Sequence, residues 1–277
     1  MRYWLMVFTF VSAIAALVIL RDQPQMFANI NGEEFRTKGS EPLPVNLIDP
    51  TMAPEDIKAE VMRGFHIILE TKKHLPDNVG NTMCCCHCHF AGGNTCGGIN
   101  GGISLVGVSK VYPKEMPDGS TLTLPQRING CFMRSMNGRP IEREGADMKA
   151  IICYLTWISS VVESKEKITW LGLPKLTVNH VPNPVHGKEL FTQYCSKCHG
   201  DHGQGQARDY ALGYPALYGE NSFNDAAGMN KMGTFSSFIY FNMPYQDPTL
   251  TQEQALDIAS FVTSQERPRY VPPKQTP

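Results

Sequence analysis

The chain opens on an unbroken apolar run, Tyr3 to Leu20, which holds 18 uncharged residues between Arg2 and the pair Arg21 and Asp22. That length is close to the minimum for a helical membrane span and long for the core of a cleaved signal. Its one A-x-A, Ala13 to Ala15, lies inside the run instead of after it, and no lipid-accepting cysteine follows. An uncleaved anchor over 1–22 is therefore favoured over a cleaved signal, and either one exports the rest of the chain. Residues 23–50 are polar and punctuated by proline, without sustained periodicity, and read as a linker.

Helical periodicity begins after Pro50. Pro54, Glu55 and Asp56 suit a first helical turn, and Ile57, Val61, Phe65 and Ile68 then recur on one face. Further on, "VNHVPNPVHG" breaks the chain, and Leu190, Phe191 and Tyr194 in "KELFTQYC" form a second apolar face. Two later stretches match each other at i, i+3, i+4 and i+7: Met148, Ile151, Ile152 and Leu155, and then Ala255, Ile258, Ala259 and Val262. The second of these opens on a Thr251-x-x-Gln254 capping box. The plan is thus all-α and duplicated, with one domain over 51–170, a linker over 171–184 and a second domain over 185–277.

Composition narrows the function. The 277 residues carry a formal net charge of −1, so nothing global points to nucleic acid. Nine cysteines are many for a chain without metal or redox work, and their placement is uneven. "NTMCCCHCHF" packs four of them beside two histidines, a set that fits a zinc knuckle. One register within it is more specific: Cys85, Cys88 and His89 spell C-x-x-C-H, in which two thiols bond the haem vinyls and the histidine ligates iron. A second copy, Cys195, Cys198 and His199 in "CSKCHG", stands where cysteine is otherwise sparse. Two matches favour two covalently bound haems c over zinc.

Each haem needs a distal ligand. Met243 in "NMPY" follows His199 by 44 residues, with Met229 and Met232 as competitors. A similar distance from His89 lands on Cys131, 42 residues on, with Met133 and Met136 as competitors. Pro125 can start a helix here and Asn137-Gly138 can end it. On that helix Arg127, Cys131, Arg134 and Ser135 share a face. A solvated polar face is one explanation. A cysteine between two cations is another, since cations favour the thiolate that binds metals and attacks sulfur, and guanidinium forks suit oxyanions.

Several blocks together resemble the dihaem thiosulfate dehydrogenases: "VGNTMCCCHCHFAGG", "SLVGVSKVYP", "LPQRINGCFMRSMNGRP", "NPVHGKELFTQYCSKCHGDHGQG", "YPALYGENSFNDAAGM", "FIYFNMP" and "QALDIASFVTSQERPR". The likeness runs from about Asp49 to Arg269. It implies two tandem cytochrome c domains and coupling of two thiosulfates into tetrathionate with release of two electrons, with some members also running in reverse. It further implies that Cys85 and Cys88 attach an active-site haem with His89 and Cys131 as axial ligands. Arg127 and Ser135 would then lie at the substrate pocket. Cys195 and Cys198 would attach a second haem, ligated by His199 and Met243, which passes electrons outward.

Departures from the family accompany the match. Only Lys114 follows the "YP" pair, where relatives carry arginine, and Asn242 stands where some place a lysine before the methionine. Cys84, Cys86, Cys96 and Cys153 are left over; Cys84 or Cys86 is a candidate to bridge to Cys96, and Cys153 reads as a small core residue. "AGGNTCGGINGG" reads as a flexible loop, and His66, His74, His180, His186 and His202 as surface or linker histidines. The expected electron partner is a periplasmic c-type cytochrome or a membrane redox complex, for a protein tethered to the inner membrane. A dihaem electron carrier with no substrate of its own is the competing function.

Overall fold

The computed structural model describes residues 47–168, 170–206 and 213–272. The expected anchor over 1–22, and most of the 23–50 segment, lie outside the described residues. In chain order the named elements are α1 (Lys58–Leu69), α2 (Thr71–His74), a hairpin of β1 (Lys114–Glu115) and β2 (Thr121–Leu122), α3 (Leu124–Gly130), α4 (Ala146–Ile158), α5 (Pro184–Tyr194), α6 (Ser196–His199), α7 (Met232–Asn242) and α8 (Gln252–Thr263). The described residues are mostly helical, as the all-α reading expects in outline, with one short hairpin in which Lys114 pairs with Leu122 and Glu115 with Thr121.

Two helix crossings organise the core. Helix α1 buries Val61, Ile67 and Ile68 against α4, which buries Met148, Ile151, Tyr154 and Leu155. Gly64 sits inside α1 despite its low helix propensity, because a Cβ there would run into the Ala150 carbonyl. The second crossing repeats this device. Helix α5 packs on α8, and a Cβ at Gly187 would run into the Asp257 carbonyl. Helix α5 starts where Asn183 Oδ1 accepts from the N–H groups of Val185 and His186, with Pro184 inside the first turn. The Thr251–Gln254 capping box opens α8, whose Ala255, Ile258, Ala259 and Val262 are all buried.

Asparagines tie the two halves together. Asn81 Nδ2 donates to the carbonyls of Ser135 (3.0 Å) and Ser222 (3.1 Å). Asn224 donates from its backbone to Arg134 O (3.1 Å) and from Nδ2 to Met133 O (2.9 Å). Gly102 N–H donates to Asn242 Oδ1 (2.8 Å), so the residue before Met243 holds the glycine-rich loop.

Three expectations change. The glycine-rich loop is largely buried and hydrogen-bonded, with Leu105 N–H on Gly93 O (2.8 Å) and Gly98 N–H on Gly102 O (2.9 Å). Leu47 and Ile48, at the end of the segment read as linker, are buried, and Leu47 N–H donates to Asn94 O (3.1 Å). His180 and His186, read as surface or linker histidines, also have a structural role, since both reach the buried Asp257, at 2.7 and 2.8 Å. No helix among the described residues is long and apolar enough to cross a membrane.

Candidate functional site

The first attachment motif folds as a 3-10 turn, Cys85–His87, directly beneath α2. Buried Thr71 fixes it: Cys85 N–H donates to Thr71 Oγ1 (3.1 Å), which lies 3.3 Å from Cys85 Sγ. His89 Nδ1 is 2.8 Å from the Ile103 carbonyl. A carbonyl only accepts, so Nδ1 carries the proton and Nε2 keeps its lone pair for a metal. Burial pulls His89 down to about 4, which keeps the ring neutral as a ligand must be.

The Cys131 segment comes to this turn from the other side. Helix α3 has Pro125 in its first turn, as the sequence predicts, and opens on a Thr123–Gln126 capping box that the sequence reading missed. At Cys131 it widens into a π turn, Cys131–Ser135, closed by Met136 N–H on Cys131 O (3.0 Å). Such turns recur at functional sites because they re-aim side chains within a helix. Arg127 Nη1 donates to Cys131 Sγ at 2.9 Å. The Cys131 sulfur and a bond to Tyr112 hold the Arg127 charge above its ordinary value, against burial. Tyr112 carried no signal of its own in the sequence beyond standing in the "YP" pair.

Burial pushes the Cys85 and Cys88 thiols up to about 12, and the nearby Cys131 sulfur adds to the rise at both. Arg127 acts in the opposite sense on Cys88 and lowers His89 further. Five residues singled out from the sequence, Cys85, Cys88, His89, Arg127 and Cys131, therefore share one field. Ser135 is half-buried at the end of the π turn. Arg134 is placed differently: its guanidinium folds back over Gly130. Met136 is in the core and Met133 Sδ faces the Tyr270 hydroxyl (4.0 Å), so neither methionine competes with Cys131 for the turn. Lys114 is exposed on β1.

In the other half a cavity of about 420 Å³ is lined by Cys195, Cys198, His199, Met229 and Met243, with apolar walls that include Phe223 and Val262. His199 Nδ1 is 2.9 Å from the Pro215 carbonyl, which again leaves Nε2 as the free lone pair. Met232 is 40% exposed and is not part of that wall. The donor chemistry fits a c-type haem: two thiols, an imidazole with its proton fixed away from the cavity, and a thioether within an apolar enclosure. The leftover cysteines also resolve: Cys84 is bonded to Cys86, so the expected bridge to Cys96 does not form. Adjacency on one tight turn outcompetes the more distant partner. Cys153 is partly buried against the core.

Comparisons with known proteins agree with this geometry. The family model described as cytochrome c matches residues 184–266. A protein named thiosulfate dehydrogenase from Psychrobacter arcticus is 37% identical over 228 residues, covering 81% of this chain and 68% of that protein. Another of that name from Allochromatium vinosum is 36% identical over 239 residues, covering 84% of this chain and 88% of that protein. Among solved structures, the thiosulfate dehydrogenase (TsdBA) from Marichromatium purpuratum aligns with a TM-score of 0.74 at 26% identity. That alignment covers 83% of this chain and 50% of the other, so this chain spans half of that structure's length.

Proposed function

The chain belongs to the thiosulfate dehydrogenase family, and on that premise we propose that it couples two thiosulfates into tetrathionate at the Cys131 site, releasing two electrons. The observation that carries the reading is the 2.9 Å bond from Arg127 to Cys131 beside the first attachment motif. An electron carrier with no substrate has no need of a guanidinium held against a half-buried sulfur. Two haems c per chain are proposed, one attached through Cys85 and Cys88 with His89 and Cys131 as ligands, the other through Cys195 and Cys198 with His199 and Met243. Haem supplies the one-electron acceptor at each site.

Arg127, one helical turn before Cys131 on α3, and Ser135, at the end of the π turn, hold the sulfonate oxygens and bring the outer sulfur of the substrate to Cys131. Positioning of this kind contributes more than bulk affinity. In the reductive direction the Cys131 thiolate attacks the central S–S bond of tetrathionate. A Cys131–sulfur bond forms, the S–S bond breaks, and one thiosulfate leaves. Two electrons then cleave the Cys131–sulfur bond, release the second thiosulfate and restore the thiolate. Thiosulfate oxidation is the same sequence reversed.

Haem c attachment, which takes place outside the cytoplasm, supports a periplasmic location. Tethering through 1–22, and delivery of electrons to a soluble cytochrome or a membrane complex, complete the proposal. The test is a turnover assay with thiosulfate and an external electron acceptor, with tetrathionate measured as product. Formation of one tetrathionate per two electrons supports the enzyme; no substrate-dependent reduction favours the electron-carrier reading.

A further inference from the structure

The turn that attaches the first haem also forms part of the wall of the second cavity. Met83, Cys86, His87 and Phe90 line it together with Cys195 and His199. His87 occupies a spacer position of the C-x-x-C-H motif, to which the attachment chemistry assigns nothing. Its hydrogen bonds are nonetheless fully determined. Cys84 N–H donates to His87 Nδ1 at 3.0 Å, and a backbone amide only donates, so Nδ1 is the acceptor. The proton is then on Nε2, which donates to the Gly213 carbonyl at 2.9 Å. Two residues further, the Pro215 carbonyl accepts from His199 Nδ1 at 2.9 Å.

We propose that His87 is a positioning residue that couples the two centres: it braces the Gly213–Pro215 segment whose carbonyl orients His199, and it links the first attachment turn to that ligand. The route runs from Cys88 to its chain neighbour His87, across one hydrogen bond to Gly213, along two peptides to Pro215, and across a second hydrogen bond to His199. Tyr214 is held separately, by a reciprocal backbone pair with Gln206 at 2.9 Å. His87 therefore supplies the anchor that comes from the other half of the molecule. The carbonyl on His199 makes that imidazole a stronger donor to iron, since a hydrogen-bonded Nδ1–H raises ligand basicity. Loosening the segment weakens that donation and favours the reduced state.

This inference rests on the two-haem reading, and the experiment separates the two. In the intact dihaem protein, His87→Phe keeps an aromatic ring and removes both hydrogen bonds, while His87→Gln retains a donor for Gly213. Mass spectrometry first establishes two haems in each protein; a wild type with one haem overturns the two-haem reading and this inference with it. Redox titration of the methionine-ligated centre is then expected to show a raised potential in His87→Phe, equivalent to a threefold or greater change in its redox equilibrium. The first centre's spectrum is expected to stay unchanged, and the shift in potential to be largely reversed in His87→Gln. An unaltered potential in His87→Phe would show that His87 only packs, as would equal shifts in both variants.

Discussion

At the residue scale, the site depends on which atoms are free. His89 and His199 each give their Nδ1 proton to a backbone carbonyl, so each keeps the Nε2 lone pair that the proposed iron ligation needs, without a choice of tautomer. Arg127 is committed to the Cys131 sulfur and Tyr112 and has donors to spare for an oxyanion. Arg127→Ala is expected to lower kcat/KM for thiosulfate by roughly 10- to 100-fold, about the loss of one charge-assisted hydrogen bond. Haem content should stay as in the wild type and the first centre should keep its thiolate-ligated spectrum, shifted at most by loss of the hydrogen bond to Cys131, which separates substrate handling from ligation. The methionine choice is testable in the same way. Replacing Met243 should abolish the methionine-to-iron charge-transfer band, whereas replacing Met229, which shares the cavity wall, should leave it. The opposite pattern would transfer the ligand role to Met229.

At the element scale, the periodic helices were legible from the sequence because burial follows the apolar spacing, as in α8, and because Pro125 and the Thr251 capping box mark two of their starts. What the periodicity concealed was how helices meet. Gly64 and Gly187 look like helix-weakening residues, and their purpose appears only when a second helix crosses them. The π turn at Cys131 has no sequence signature, since it changes one hydrogen bond and not the hydrophobic pattern. Asp257 was equally silent. It lies on the buried face of α8 because Asn183 N–H, His186 and His180 all donate to it. Burial works against its charge, and those hydrogen bonds outweigh burial and hold its carboxyl below the ordinary range. A depressed carboxylate contributes stability that is present above the unfolded-state value, about 4, and lost as pH falls through the folded one. Asp257→Asn is therefore expected to cost about 1–3 kcal/mol near neutral pH. Thermal unfolding across pH should show that gap closing below about pH 4, and a constant gap would contradict the assignment.

At the scale of the whole molecule, the two halves share one hydrophobic cluster and are stitched by Asn81, Asn224 and Asn242. The blocks that distinguished this family in the sequence, around Cys131 and in "SFNDAAGM", meet at that seam, where Asn224 bonds the carbonyls of Met133 and Arg134. Their residue types were readable; their being neighbours was not, because about 90 residues separate them along the chain. The pairing of Cys84 with Cys86 was likewise a matter of local geometry. Intact-mass measurement of the mature protein is expected to show two haem additions, and one addition, or zinc at the first motif, would remove the two-centre account.

The central claim is that Cys131 is both ligand and reacting sulfur, and protein-film voltammetry of Cys131→Gly beside the wild type tests it most directly. In the presence of thiosulfate and of tetrathionate, the wild type should give catalytic current. The variant should keep the non-catalytic signals of both centres, with the first shifted in potential, and lose nearly all catalytic current in either direction. A variant with wild-type current and an unshifted first centre would contradict the account.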